Sequence, residues 1–279
     1  MILVTGLNGQ LGFDVVKELT KRNIECLGID RAELDITDKD AVDKYISSLK
    51  PKCVIHCAAY TAVDRAEDEE ENCSKVNVYG TENIANACKN IDAKMIYIST
   101  DYVFDGQGDT PFEVNGVIKP HSIYGKTKYE GELKVKEVLD KYFIVRISWV
   151  FGVNGNNFIK TMIRLGKEKE SLTVVCDQIG SPTYTADLAP LLCDMALSEK
   201  YGTYHATNEG YCSWAEFANK IMKKANLKCE IKPIPTSEYP AKAERPFNSR
   251  LSKKSLVDNG FNLLPSWEDA LDRYLIELK

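Results

Sequence analysis

No apolar run in this sequence approaches the ~20 residues needed to span a bilayer, so a membrane is not an expected partner. Nor is there a basic block: lysines are scattered and usually accompanied by acids, and the net charge is −5. A surface that neutralises nucleic-acid phosphates needs the opposite, which argues against nucleic acid as a partner. The strand-like start runs at once into a glycine-rich turn with no basic segment before it, so no secretory leader is expected. Internal repeats and low-complexity tracts do not stand out. A disulfide framework is not indicated either. Nine cysteines are an odd number, and Cys53, Cys57, Cys88 and Cys176 fall in apolar runs or helical patterns, as reduced thiols of a cytoplasmic protein would. Cys53-x-x-His56-Cys57 has a metal-like spacing, yet strand alternation sends the thiols to one face and the imidazole to the other. No metal ligands are assigned.

What is present is an alternation. The 279 residues suffice for one large domain or a main domain with a smaller partner, and an apolar share of 44% is ordinary for a globular chain. Short apolar runs at 2–5, 25–30, 53–56, 95–98 and 143–148 read as strands. Between them 10–21, 77–89 and 129–138 read as helices, with Asp38 capping another and the acidic run 67–71 as a solvated helix face. Strand and helix in turn imply a parallel sheet wound on both faces, with ligands gathered beyond the carboxyl ends of its strands. Beyond 150 the pattern loosens: Asn157 opens a helix, 180–185 is a turn before helix 186–197, and helices at 213–225 and 267–276 each begin with Ser beside Trp. The expected fold is α/β, a Rossmann-type doubly wound sheet over 1–150 with a returning segment from about 173–206. A smaller, mixed α/β region within 151–279 is expected to bind substrate.

Gly6-x-x-Gly9-x-x-Gly12 lies between the first strand and the first helix. There Gly6 permits the tight turn, Gly9 lets the backbone approach a pyrophosphate, and Gly12 lets helix and strand pack closely. The helix amino terminus then meets the negative charge with free N–H groups. The second strand ends in Asp30, suited to a ribose 2′-hydroxyl and hostile to a 2′-phosphate, which favours NADH over NADPH; Arg31 beside it would instead greet a phosphate. Asp35 and Ile36 close a loop over the adenine, and Ala58, Ala59 and Tyr60 let a cofactor lie against the backbone. Ser99 and Thr100 end the fourth strand, and Tyr124 and Lys128 lie four apart on one helix face. A free tyrosine titrates near pH ~10, and an ammonium within a few ångströms draws it down. A neighbouring hydroxyl, Thr100, can bond both the phenol and a substrate oxygen. Of fourteen tyrosines, Tyr124 alone has Lys at i+4. Trp149 leaves the fifth strand toward the same edge, and Arg245 and Arg250 lie in a polar segment suited to phosphate.

With these motifs stand longer strings: AAYTAVDRAE at 58–67, STDYVFDG at 99–106, YGKTKYEGE at 124–132, RISWVFG at 146–152, NNFIKTM at 156–162, GSPTYTADLA at 180–189 and RPFNSRLS at 245–252. Together they resemble the extended short-chain dehydrogenase/reductases and, more narrowly, the dTDP-4-dehydrorhamnose reductases. The resemblance implies reduction of the C4 keto group of a dTDP-4-dehydro-L-rhamnose with NAD(H) or NADP(H). Tyr124 would be the proton donor, Lys128 its partner and Thr100 its tuner. Gly9, Gln10, Leu11, Asp30, Asp35, Ile36 and Ala58 to Tyr60 would surround the cofactor, joined by Gly6, Gly12 and Ser99. Thr100, Asp101, Trp149, Asn157 and Arg245 would meet the nucleotide sugar. The resemblance also implies a homodimer with Mg2+ held by acids between subunits, where Asp14 replaces a longer glutamate. Rival readings are another nucleotide-sugar reductase or epimerase of the superfamily, or a non-catalytic NAD(P)-binding regulatory subunit; intact Thr100, Tyr124 and Lys128 weigh against the last.

Overall fold

In the computed structural model, which describes residues 1–279, the alternation becomes a six-stranded, all-parallel sheet. Five strands follow the apolar runs: β1 (Ile2–Thr5), β2 (Cys26–Ile29), β3 (Cys53–His56), β4 (Lys94–Thr100) and β5 (Tyr142–Ile147). Between them lie α1 (Gln10–Lys21), α2 (Lys39–Leu49), α3 (Val63–Ala66), α4 (Glu70–Ser74), a π-helical turn (Lys75–Gly80), α5 (Thr81–Asn90) and α6 (Ile123–Val138). Strand alternation sorts the side chains. Ile2, Val4, Cys53, Ile55, Ile96 and Ile98 meet Leu11, Val15 and Leu19 of α1, while Leu3, Val54, Met95 and Tyr97 meet α2 and α5 on the other face. Each fully buried aliphatic side chain contributes roughly 1.5–3 kcal/mol, so a sheet covered on both sides needs no disulfide. Side chains of Asp38 and Ser122 cap α2 and α6 by accepting from the amides of Ala41 and Gly125. The second of these fixes where the helix bearing Tyr124 begins.

After β5 the chain builds a second core. Its elements are β6 (Val150–Phe151), α7 (Phe158–Glu168), β7 (Ser171–Val175), β8 (Ile179–Gly180) and β9 (Thr183–Tyr184). Then come α8 (Thr185–Leu197), β10 (Gly202–His205), β11 (Cys212–Ser213), α9 (Trp214–Lys224), β12 (Glu230–Ile234), β13 (Asn248–Ser249), α10 (Lys254–Asp258) and α11 (Trp267–Glu277). Residues of α7, α9 and α11 bury Ile159, Phe217, Ile221, Leu271 and Tyr274 together with Phe151. The return to the first layer is made by α8, which packs on α1, and by β10, which joins β5; the strand order is β10-β5-β4-β3-β1-β2. The return begins at Thr185 and not near 173, because β7 pairs with β12 in a separate two-stranded sheet. No helix is long and apolar enough to cross a membrane.

Two local expectations change. Residues 77–89 are not one α-helix: a π turn over Lys75–Gly80 precedes α5. The wider turn places Asn77 inward, where its amide donates to Tyr60 O at 3.1 Å and to Thr127 Oγ1 at 3.2 Å, and accepts from Tyr60 N at 2.8 Å. The acidic run 67–71 straddles the break between α3 and α4 and does structural work. Glu67 accepts from the Ile123 amide at 2.9 Å, and Glu69 pairs with Arg65 and accepts from the Tyr60 hydroxyl.

Candidate active site

A cleft of about 730 Å³ opens beyond the carboxyl ends of the parallel strands, a size suited to a cofactor or small ligand. Gly6, Gly9, Gln10, Leu11, Gly12, Asp30, Asp35, Ile36, Ala58, Ala59, Tyr60 and Ser99 all line it. The glycines are there for lack of room. Gly6 has φ +74°, and a Cβ on Gly12 would lie 2.2 Å from the Gly6 carbonyl oxygen. A Cβ on Gly6 would in turn meet the Ala58 amide at 2.8 Å, so loop, helix start and β3 exit lie in mutual contact. Asp30 is fixed in place: Asn8 N donates to its Oδ2 at 2.8 Å and Arg31 N to its Oδ1 at 2.7 Å. The Thr37 hydroxyl and amide hold the Asp35 carboxyl below the ordinary carboxylate range. Bare backbone at the start of α1, together with a fixed acid at the tip of β2, fits a dinucleotide.

Thr100, Asp101, Tyr124, Lys128 and Trp149 line the same cleft. The Tyr124 ring meets Tyr102 edge-on, with centroids 5.4 Å apart. The Thr100 hydroxyl donates to Asp101 Oδ1 at 3.0 Å and accepts from the Tyr102 amide. Lys128 Nζ lies 4.1 Å from the centre of the Tyr97 ring. Burial raises the Tyr124 phenol above its usual value, with the Thr100 hydroxyl pulling the other way. Lys128 is not among the groups that shift it, so the expected depression by Lys128 is not found in the protein alone. Desolvation disfavours the phenolate, and it also pulls the Lys128 ammonium down to about 7. Burial likewise pushes Asp101 up to about 6, and its Oδ2 is buried without a partner. Trp149 adopts φ +50°; its ring stacks on that of Trp214, with centroids 3.7 Å apart, and a Cβ on Gly180 would come within 2.8 Å of it.

Two expected residues are not brought to the cleft. Asn157 caps α7, accepting from the Lys160 amide at 3.1 Å, and its own amide donates to Gln10 Oε1, Gly152 O and the Tyr274 hydroxyl. The cap geometry turns it inward. Arg245 makes a forked ion pair with Asp64 of α3 at 2.8 and 2.6 Å, beside a small separate hollow lined by Tyr102 and His121. That pair holds the Asp64 carboxyl down at about 2. Conversely Asn8, Cys57, Tyr102 and Ser148 line the cleft though none was expected there. Tyr102 lies one residue past Asp101, and no spacing rule separates it from its thirteen fellow tyrosines. Asp14 does not suit a metal shared between subunits. It is 3% exposed, turned into the contact of α1 with α8, with the Thr185 hydroxyl donating to its Oδ2. No three His, Cys, Asp or Glu side chains come together as a metal site.

A family model described as the RmlD substrate binding domain matches residues 1–279. The chain belongs to the RmlD family. Among its RmlD relatives, the dTDP-4-dehydrorhamnose reductase of Aggregatibacter actinomycetemcomitans is 41% identical over 284 residues, covering 97% of this chain and 96% of that protein. The crystal structure of a dTDP-4-dehydrorhamnose reductase from Clostridium acetobutylicum ATCC 824 is similar with a TM-score of 0.97 and 42% identity, covering 99% of each chain. A reductase of the same name from Bacillus anthracis str. Ames, solved in complex with NADP, is similar with a TM-score of 0.97 and 47% identity. That match covers 99% of this RmlD chain and 98% of the other.

Proposed function

We propose that this chain reduces the C4 keto group of dTDP-4-dehydro-L-rhamnose to give dTDP-L-rhamnose, using a nicotinamide dinucleotide. The observation that carries this reading is the meeting of Thr100, Tyr124 and Lys128 with the glycine loop in one cleft, in a chain that matches a reductase family from end to end. The loop Gly6–Gly12, Asp30 and Ala58 to Tyr60 would hold the dinucleotide, which supplies the hydride when bound. Tyr124 keeps its proton at neutral pH because burial raises it, as a general acid must, and passes that proton to the substrate oxygen as negative charge develops there. Thr100 orients the phenol and the substrate oxygen. The Lys128 ammonium steadies the phenolate that remains. The unpartnered oxygen of Asp101 takes a sugar hydroxyl, and Trp149, which lines the same cleft, borders the sugar. Asp30 favours NADH, since a 2′-phosphate would meet its carboxylate.

A coupled assay with enzymatically made 4-keto-rhamnose nucleotide tests the reading, with one NADH oxidised per keto group lost. Product without net NADH consumption would assign the chain to the epimerases. NADH fluorescence quenching with no oxidation by any 4-ketosugar nucleotide would make it a binding subunit. Tyr124→Phe should lower turnover ~100- to 10,000-fold while leaving dinucleotide affinity nearly unchanged, and undiminished turnover would remove Tyr124 from the role. Asp30→Ala should narrow the preference for NADH over NADPH, measured as the ratio of kcat/KM values. Sedimentation of the purified chain tests the homodimer that the family resemblance implies.

A further inference from the structure

Three side chains climb one face of α6 at four-residue intervals: Tyr124, Lys128 and Glu132. The first two reach the cleft. Glu132 is wholly buried, and its carboxylate accepts from Nε and Nη2 of Arg146 on β5, both at 2.7 Å. A third hydrogen bond comes from Ser99 Oγ on β4, also at 2.7 Å. The guanidinium of Arg146 also donates to Val114 O at 2.9 Å and lies 5.1 Å from the centre of the Phe104 ring. The Glu132–Arg146 pair thus joins the helix of Tyr124 and Lys128 to the strand of Thr100, the next strand and, through the guanidinium, the loop beyond Asp101. Stability alone is a poor reason for such a pair, because apolar residues of equal volume often replace a buried ion pair without loss. What apolar residues cannot supply is direction: three bonds at one carboxylate specify both the rotation and the height of α6.

Resting on the reductase reading, we propose that the Glu132–Arg146 pair is a positioning device for the reaction. It sets Tyr124 and Lys128 against Thr100 and places a fixed negative charge one helical turn from the Lys128 ammonium. Lys128 is faced by Glu132 and Tyr124 on its own helix, His56 and Tyr97 from the sheet, Cys57 after β3 and Cys73 of α4. Burial keeps both thiols protonated, Cys57 being pushed up to about 12, and keeps His56 neutral by pushing it down to about 3. Glu132 is the anion of the group, and it leads the influences that oppose the loss of charge from Lys128. Glu132 itself faces Arg146, Tyr97 and, at 3.8 Å, Lys136.

Two variants separate charge from geometry. Glu132→Gln keeps the shape and removes the charge; Arg146→Lys keeps both charges and removes the fork. Acetic anhydride labelling of Lys128 across pH, in protein without dinucleotide and read by mass spectrometry, should show its midpoint lowered by about one pH unit in Glu132→Gln and unmoved in Arg146→Lys. Both should lose about tenfold or more in kcat, with NADH affinity within about threefold of wild type. Thermal unfolding checks that each is folded. Should either fail to fold, Glu132→Met combined with Arg146→Met removes the pair without leaving a bare charge. It should give folded protein with a lowered Lys128 midpoint and reduced kcat. Wild-type kcat and midpoint in the folded variants would overturn the proposal. Failure of the reductase reading would show differently, as wild-type protein inert toward 4-ketosugar nucleotides, with the labelling midpoints still judging the pair.

Discussion

A lysine with 2% of its surface exposed carries a charge that its surroundings barely support. Its folded pKa, about 7, lies far below the ordinary 10.5, so the charged form is the one the fold disfavours. Below about 7 Lys128 is charged in both folded and unfolded chains and its burial cost is felt in full; the cost fades as pH rises toward 10.5, where both are neutral. Lys128→Met should therefore raise the Tm by several degrees at pH 6 and by less at pH 9, while turnover falls ~100-fold or more. A Tm gain independent of pH would mean that packing, and not the ammonium, sets the effect. In the free enzyme, kcat/KM should fall as pH rises through about 7, because the charged form is then lost. The spacing of Tyr124 and Lys128 was legible in the sequence because helical geometry is periodic. The direction in which Tyr124 moves was not, because desolvation depends on what covers the ring, and spacing says nothing of cover.

At the scale of elements, the most readable features were strands buried on both faces and the glycine turn after the first of them. Gly12 shows why the turn tolerates no substitute: Gly12→Ala should destabilise by ~1–3 kcal/mol in urea unfolding and abolish dinucleotide binding by forcing α1 off the loop. Retention of full NADH affinity would mean that the loop yields freely. The π turn at Lys75–Gly80 was illegible, since an inserted residue leaves the apolar pattern on either side intact. Its reason is local. Asn77 satisfies both backbone groups of Tyr60, so Asn77→Ala should cost ~1–3 kcal/mol and loosen that edge of the cleft, measurable as a weaker NADH affinity. Asn157 was misplaced for a related reason: a short polar side chain before a helix reads equally as a cap or as a ligand group, and here the cap wins.

Across the whole molecule, the second core is tied back to the first at several places, of which two polar clusters stand out. One is the forked Arg245–Asp64 pair, reinforced by Lys242 with Asp68 and by the Ala243 amide on Asp64. Asp64 is half exposed, so Arg245→Ala should shift stability by no more than about 1 kcal/mol. It should nonetheless speed proteolytic cutting within 239–247; cutting at the wild-type rate would show that other contacts hold the segment. The other tie grips the glycine loop itself. The Asn154 amide donates to the carbonyls of Asn8 and Gly9 at 2.8 and 3.2 Å, and Gln10 Oε1 accepts from Gly152 N and from Asn157, which in turn meets Tyr274 of α11. Residues after the fifth strand thus hold the carbonyl side of the loop whose amides would face a pyrophosphate. Slowed hydrogen exchange on loading with NADH should then spread along 152–157 and into the last helix, well outside the cofactor's own footprint. A graft of the first five strands onto another scaffold would carry the glycine sequence without its grip.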